Sequence, residues 1–304
     1  MIPFLSTASV DDQTRWLDSL NNNAHGLTFE AGLTSRTRQS KVAVFTAPAA
    51  AQLHQFPKLH WAQCTWAGVD KALGLTDTPI ARLIDPGLTD IMAEAVLAWS
   101  LYLHREMPHY RRAQRSQQWA PRDYCPPHRR RVGILGAGVL GMASAERLHQ
   151  QGFQVRTFSA RSDAQVPWTH HCGPLIQTDL AELDLVVSLL PDAPTTRGVI
   201  DRNFWHQCRP QLGFISFGRS AAVVDSDLRD ALDQGWVGEA VLDVFDIEPL
   251  PADDWKYGHE RVTVLPHISA QTPVDTAARV IAETLNRYFT RGDTPPLVDP
   301  AKGY

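Results

Sequence analysis

The sequence predicts an α/β protein of two domains, with a doubly wound parallel sheet inserted in a smaller α/β domain. Three observations carry that expectation. The string G-A-G-V-L-G at Gly136–Gly141 follows the apolar run Val132–Leu135 and opens a helical stretch, Met142–Gln151. Apolar runs of strand length alternate with helical patterns on both sides of that turn, the signature of parallel strands with helical crossovers. The turn also sits at residue 136 of 304, which leaves room ahead of it for a further domain, one domain taking roughly 100–200 residues. Residues 1–97 with 275–304 are expected to form the smaller domain and residues 98–274 the inserted one.

Before the turn, Ile2–Leu5, Val42–Phe45 and Trp61–Thr65 have strand composition, and Asp11–Leu20 and Ala49–Phe56 have helical patterns between them. Asp90–Arg105 predicts a long helix that is apolar on most sides (Met92, Val96, Leu97, Trp99, Leu101, Leu103), so burial at a domain or subunit interface is expected. Met107–Pro127 is rich in Arg, Gln and Pro and is expected to be an arm rather than a core element. After the turn the strand candidates are Gln154–Phe158, Leu185–Leu190, Phe214–Phe217, Ala240–Val244 and Arg261–Leu265. Val274–Arg291, following Pro273, is amphipathic and is expected to cross back to the first domain.

Composition narrows the classes. With 43% hydrophobic residues, 20% charged residues and a net charge of −4, nothing asks for nucleic acid or an anionic membrane surface. The longest nearly apolar run, Ile91–Leu103, is interrupted by Glu94 and Ser100 and is too short to span a bilayer. No basic segment with an apolar core opens the sequence, so a cytoplasmic location is expected. The four cysteines, Cys64, Cys125, Cys172 and Cys208, lie far apart without C-x-x-C spacing and read as free thiols. His170–His171–Cys172 lacks a second ligand pair, so no metal site is expected. His128–Arg131 precedes its strand and belongs at the opposite end of the sheet, as a solvated linker. Trp205 and Trp236 are expected in the core.

A glycine turn between strand and helix has specific mechanical jobs. Gly136 permits the tight turn, Gly138 lets backbone N–H groups at Val139 and Leu140 approach a pyrophosphate, and Gly141 lets helix and strand pack closely. This is a Rossmann-type dinucleotide site, with the helix N-terminus facing the phosphates. An enzyme that uses NAD places Asp or Glu about 20 residues later to take the ribose 2′-OH. Here that place reads Ser159-Ala160-Arg161-Ser162, with no carboxylate to repel a 2′-phosphate. NADP, as NADPH, is therefore expected, with NAD as the alternative.

Three further residues fall at carboxyl ends of strands, on the edge where ligands of such sheets bind. Arg219 in F-G-R-S can grip a carboxylate by two parallel hydrogen bonds, a surface salt bridge being the plain alternative. His267 in L-P-H-I-S suits proton transfer near neutrality, although twelve histidines make a lone one uninformative. Glu248 changes that, since it sits in the loop after the preceding strand, stiffened by Pro249 and Pro251. A carboxylate bonded to imidazole favours the imidazolium and orients the ring. Asp243 would meet the nicotinamide side of the cofactor, or else serve in a cap or turn. Thr65–Asp70, in T-W-A-G-V-D, can form an anion nest or a plain turn.

The order G-A-G-V-L-G, F-G-R-S, D-V-F-x-x-E-P-L-P and L-P-H resembles the D-isomer-specific 2-hydroxyacid dehydrogenases. T-W-A-G-V-D is similar to the turn of that family's substrate domain, and V-D-P-A-K-G-Y at residues 298–304 to its branch of glyoxylate/hydroxypyruvate reductases. The resemblance implies a cofactor domain inserted in a smaller flavodoxin-like α/β substrate domain. It assigns the substrate carboxylate to Arg219 and to backbone N–H groups at Trp66, Ala67 and Gly68, and acid/base work to His267 with Glu248 as its partner. It places Asp243 at the carboxamide, Leu190 and Pro191 along the adenosine half, and Phe217 and Gly218 in the cofactor-binding strand end. It further implies a homodimer embraced by the arm, with Trp119 as a candidate for the partner's pocket. The usual strand-end N-L-A-R-G reads S-F-G-R-S here, which keeps the arginine and changes its neighbours. The implied reaction is reduction of small 2-oxo acids, glyoxylate and hydroxypyruvate. Other family members act on formate, phosphite or 3-phosphoglycerate, the last usually carrying an extra regulatory domain for which no residues remain. A nucleotide-sensing binding protein shares the fold, but it has no use for a proton donor.

Overall fold

The computed structural model describes residues 1–160, 165–173, 180–300 and 303. They divide into two compact units, Met1–Leu88 with Gln271–Tyr304, and Thr89–Ala270.

The first unit is a parallel sheet of β1 (Ile2–Leu5), β2 (Phe29–Ala31), β3 (Val42–Phe45), β4 (Trp61–Cys64) and β5 (Ile80–Ala81), in the order β2-β1-β3-β4-β5. Strands β1, β3 and β4 are buried at every position, which is why they read as unbroken apolar runs rather than alternating ones. Side chains alternate between two clusters. Phe4, Val44 and Trp61 meet Trp16 and Leu20 of α1 (Val10–Asn22) and Ala278, Ile281 and Leu285 of the last helix, α8 (Val274–Arg291). Ala43, Phe45 and Cys64 meet Leu53 of a 3-10 segment, Ala47–Gln55. Helix α1 starts where the Ser9 hydroxyl accepts the Asp12 N–H at 3.2 Å, and α8 stops at Gly292, whose φ of +78° suits glycine. Each such aliphatic side chain taken from water stabilises the unit by about 1.5–3 kcal/mol. Sequence alone points to a helix at 49–56; the chain forms a 3-10 segment instead, ended by Phe56, which Pro57 holds extended. Neither β2 nor β5 is long enough to show a period, and both gain their ladders only from β1 and β4.

The second unit is a seven-stranded parallel sheet in the order β12-β11-β10-β9-β6-β7-β8. Its strands are β6 (Arg131–Leu135), β7 (Gln154–Ser159), β8 (Thr169–Cys172), β9 (Leu185–Ser188), β10 (Leu212–Ser216), β11 (Val237–Leu242) and β12 (Val262–Val264). The chain steps outward from β6 to β8, returns to β9 on the other side of β6, and steps outward again to β12. The direction reverses between β6 and β9, and that switch point is where such a sheet opens a crevice at its carboxyl edge. Strand β8, T-H-H-C, is absent from the sequence reading because this polar edge strand shows no apolar period.

Helix α2 (Pro86–His104) starts earlier than Asp90, because the buried Asp85 carboxylate accepts the Gly87 and Leu88 N–H groups at 3.0 and 3.3 Å. Its Met92 and Val96 join the core of the second unit. The segment 107–127 differs from a plain arm. Glu106 breaks the chain at φ +55° and α3 (Met107–Arg115) follows, with Pro108 in its first turn, Pro108 and Ala113 buried, and Arg112 paired with Glu239 of β11. Beyond α3 the segment is irregular, and Trp119 is 98% exposed. The remaining helices of this unit are α4 (Val139–Gln150), α5 (Arg202–Gln207), α6 (Asp225–Asp233) and α7 (Trp255–Gly258).

Candidate active site

The glycine turn does what its composition requires. Gly136 has φ +96°, and a Cβ there would lie 2.8 Å from the Leu189 carbonyl oxygen. A Cβ on Gly141 would lie 2.1 Å from the Gly136 carbonyl oxygen, so only hydrogen lets α4 start against β6. A Cβ on Gly138 would meet nothing within 4 Å, so the space above the middle of the turn is open. No side chain caps α4; its first N–H groups, at Val139, Leu140 and Gly141, point into that space with the positive end of the helix dipole. Open room over an uncapped N-terminus at the switch point fits a dinucleotide pyrophosphate. Leu190 is buried and Pro191 half-buried at the end of β9.

The loop after β10 is pressed against that of β9. Phe217 and Gly218 both donate to the Ser188 carbonyl at 3.0 Å, and Arg219 donates its N–H to Leu190 at 3.0 Å. A Cβ on Gly218 would lie 2.4 Å from the Leu190 carbonyl oxygen, which explains glycine before the arginine. Arg219 is half-buried and its Nη1 donates to Gly218 at 3.0 Å. Phe217 is a core residue, packed with Ile215 and Leu265, so its backbone rather than its ring faces this edge.

Glu248 and His267 meet. Nδ1 of His267 lies 3.1 and 3.0 Å from the two carboxylate oxygens of Glu248, and the Phe245 N–H donates to the same carboxylate at 3.1 Å. The two residues are 19 apart in sequence and follow neighbouring parallel strands, β11 and β12. With Nδ1 turned to the carboxylate, Nε2 is the nitrogen left for a substrate, and the side chain is 45% exposed to receive one. His267 itself has φ +54°, a left-handed conformation that a residue with a Cβ rarely adopts. Asp243, 1% exposed, holds the chain just beyond it: its two oxygens accept the Ile268 and Ser269 N–H groups at 2.8 and 2.9 Å. Of the roles open to Asp243, the turn role is therefore filled by the protein itself.

The other candidates fall as follows. Ser159 closes β7 and its carbonyl accepts the Gly173 N–H, whereas Arg161 and Ser162 lie outside the described residues. In the first unit Trp66, Ala67 and Gly68 are half-buried in a bend after β4. Nδ1 of His170 contacts the Thr157 hydroxyl at 2.8 Å and His171 stacks on Phe158 at 4.9 Å, so both rings have structural partners. Arg130 and Arg131, at the amino end of β6, pair with Asp184 and Glu182 rather than standing solvated. Trp205 is core, and Trp236 packs at its margin.

A carboxylate-backed imidazole on the ligand edge of a dinucleotide-type sheet is an arrangement suited to a nucleotide-dependent oxidoreductase. Residues 97–269 match the family model described as D-isomer specific 2-hydroxyacid dehydrogenase, NAD binding domain, and the chain belongs to that family. It is 37% identical over 232 residues to a glyoxylate/hydroxypyruvate reductase A from Serratia proteamaculans, covering 74% of this chain and 72% of the relative. Two solved structures cover 100% of this chain and are covered to 99%. One is a D-isomer specific 2-hydroxyacid dehydrogenase from Xanthobacter autotrophicus Py2 in complex with NADPH and MES, at TM-score 0.92 and 30% identity. The other is an NADPH-dependent glyoxylate/hydroxypyruvate reductase from Sinorhizobium meliloti in complex with NADP and sulfate, at TM-score 0.89 and 25% identity.

Proposed function

We propose that this enzyme reduces small 2-oxo acids with NADPH, taking glyoxylate to glycolate and hydroxypyruvate to D-glycerate. The observation that carries the reading is the His267–Glu248 contact at 3.0 Å, which turns Nε2 outward. When bound, the nicotinamide cofactor supplies a hydride to the 2-oxo carbon. His267 gives the accompanying proton from Nε2 to the carbonyl oxygen, so that one hydride and one proton make the alcohol. Glu248 holds the ring through Nδ1 and offsets its positive charge before transfer. Arg219 binds the carboxylate and draws electron density from the carbonyl. Asp243 keeps His267 in place through the two N–H groups that follow it.

Preference for NADPH is supported by the absence of a carboxylate in Ser159–Ser162 and by the ligands of the similar structures named above. Restriction to short acids rests on the indole of Trp66 and on the Serratia and Sinorhizobium relatives. A homodimer formed through the second unit is supported by the exposed aromatic side chains of the arm, Tyr110, Trp119 and Tyr124. Free cysteines accord with work in the reducing cytoplasm.

Steady-state kinetics with glyoxylate, hydroxypyruvate, pyruvate and phenylpyruvate, each with NADPH and NADH, test the reading. The expected result is highest kcat/KM for glyoxylate or hydroxypyruvate with NADPH. A tenfold advantage for phenylpyruvate removes the size argument. Preference for NADH removes the cofactor argument. Full turnover by His267→Ala removes the mechanism.

A further inference from the structure

Glu248 rides on the loop from Asp243 to Asp254, which contains no helix or strand of its own. The first end of that loop is fixed in the core, where Val244 and Phe245 are buried. Beyond them the chain emerges, with Ile247 65% exposed. Glu248 must nevertheless keep its two oxygens 3.1 and 3.0 Å from Nδ1 of His267. Pro249 and Pro251 restrict the backbone there, but neither has an N–H with which to tie it down. What fixes the second end is a buried lysine that the reaction does not use.

Lys256, in the first turn of α7, is 8% exposed. Its Nζ lies 2.6 Å from Asp225 and 3.3 Å from Asp254, and 4.8 Å from the centre of the Trp255 ring. An ammonium taken from water is unfavourable unless it is paired, so these contacts select one place for it. Asp225 opens α6, and its other oxygen accepts the Trp255 indole N–H at 2.9 Å. One carboxylate of α6 thus grips two successive residues of α7. Asp254 extends the chain of contacts back into the loop: it accepts the Lys256 N–H at 3.0 Å and donates its own N–H to the Pro251 carbonyl at 3.0 Å. Leu250 and Trp255 pack against the same apolar cluster. The links therefore run without a break from α6 through Asp225, Lys256 and Asp254 to Pro251, next to the residues that present Glu248.

We propose that Lys256 and Asp225 are positioning residues for the proton-transfer pair. Their ion pair anchors the far end of the loop, and the anchored loop keeps the Glu248 carboxylate against Nδ1 of His267. Both residues act through Glu248 rather than on a substrate. The consequence for turnover rests on the reaction proposed above; the consequence for the imidazole ring rests on the contact alone.

The test uses the full chain with Lys256→Met, which keeps an apolar stem beside Trp255 and removes the charge. Two quantities are measured, the ring-nitrogen shifts of His267 by NMR and steady-state kinetics with glyoxylate and NADPH. Which nitrogen carries the proton of a neutral imidazole is set by the hydrogen bonds of the ring. The wild type should show Nδ1–H, and Lys256→Met a mixture with Nε2–H. Its kcat should fall about tenfold or more at unchanged KM and NADPH affinity, as remote misplacement of a reacting group does. In a Glu248→Ala background the same substitution should cost less than about twofold, because the group it positions is gone. Should Lys256→Met not fold, Asp225→Asn, which keeps an acceptor for the Trp255 indole, makes the same comparison. A loss as large in the Glu248→Ala background as in the wild type, or nitrogen shifts and kcat that stay unchanged, overturns the proposal. The two readings part cleanly. Nitrogen shifts that move in a protein that reduces no 2-oxo acid leave the anchor standing and remove the reaction; His267-dependent reduction of glyoxylate that Lys256→Met leaves untouched does the reverse.

Discussion

Replacing Asp243 by Asn isolates the part of the site that positions His267. The carboxylate is 1% exposed and accepts two backbone N–H groups, from Ile268 at 2.8 Å and Ser269 at 2.9 Å. Hydrogen bonds to a charged group contribute about 1.5–3 kcal/mol each, and a buried donor left without a partner costs about 1–3 kcal/mol. Asn keeps one carbonyl oxygen and sets an NH2 group against the other N–H. The variant thus loses one charge-assisted bond and strands one donor, about 2.5–6 kcal/mol in all. That loss lands on a loop whose first residue, His267, is already held at φ +54°, a conformation that costs about 1–3 kcal/mol in itself. The loop relaxes, and the imidazole leaves the geometry in which Nδ1 meets Glu248. At 1.36 kcal/mol per tenfold in rate, and with part of the loss recovered by relaxation, kcat should fall by on the order of 10²–10³. Saturating turnover with glyoxylate and NADPH measures this, with cofactor affinity from nicotinamide fluorescence as the companion reading. An Asp243→Asn enzyme with kcat within threefold of the wild type and weakened NADPH refutes the positioning argument in favour of a carboxamide contact.

Other expectations follow from the same geometry. His267→Ala should lose on the order of 10²–10⁴ in kcat while staying folded, checked by circular dichroism and stopped-flow rates. Glu248→Gln should keep substrate KM near the wild-type value and lower kcat, because it loses a partner of Nδ1 and no contact to the acid. Gly141→Ala places a methyl 2.1 Å from the Gly136 carbonyl oxygen and should abolish NADPH binding or unfold the second unit, which calorimetry of the two transitions separates. Burial pushes the thiols of Cys64 and Cys208 from 9.0 up to about 12, so both stay protonated in the fold. A disulfide reagent at pH 8 should label exposed Cys172 quickly and those two only on unfolding. Because the folded thiols resist ionisation, stability is whole below pH 9 and should decline above it, where the unfolded chain ionises first.

Much of this protein is written locally. Gly136, Gly138, Gly141 and Gly218 are legible because each answers a demand of its own few residues, a positive φ or a close backbone approach. The strands buried on both faces show as apolar runs for the same kind of reason, and so Arg219, Glu248 and His267 could be set at strand ends before any coordinates. Short edge strands such as β2, β5 and β8 carry no such mark, since two to four residues hold no period and their ladders come from neighbours. The sequence could pair Glu248 with His267 by setting both after successive strands, whereas contact follows from β11 lying beside β12, an adjacency chosen by burial across the whole sheet. The grip of Asp243 on Ile268 and Ser269 has no local signature at all. Backbone preference is a property of adjacent residues and can be read in order. Which charge finds which partner depends on groups far apart in the chain, and only packing in three dimensions decides it.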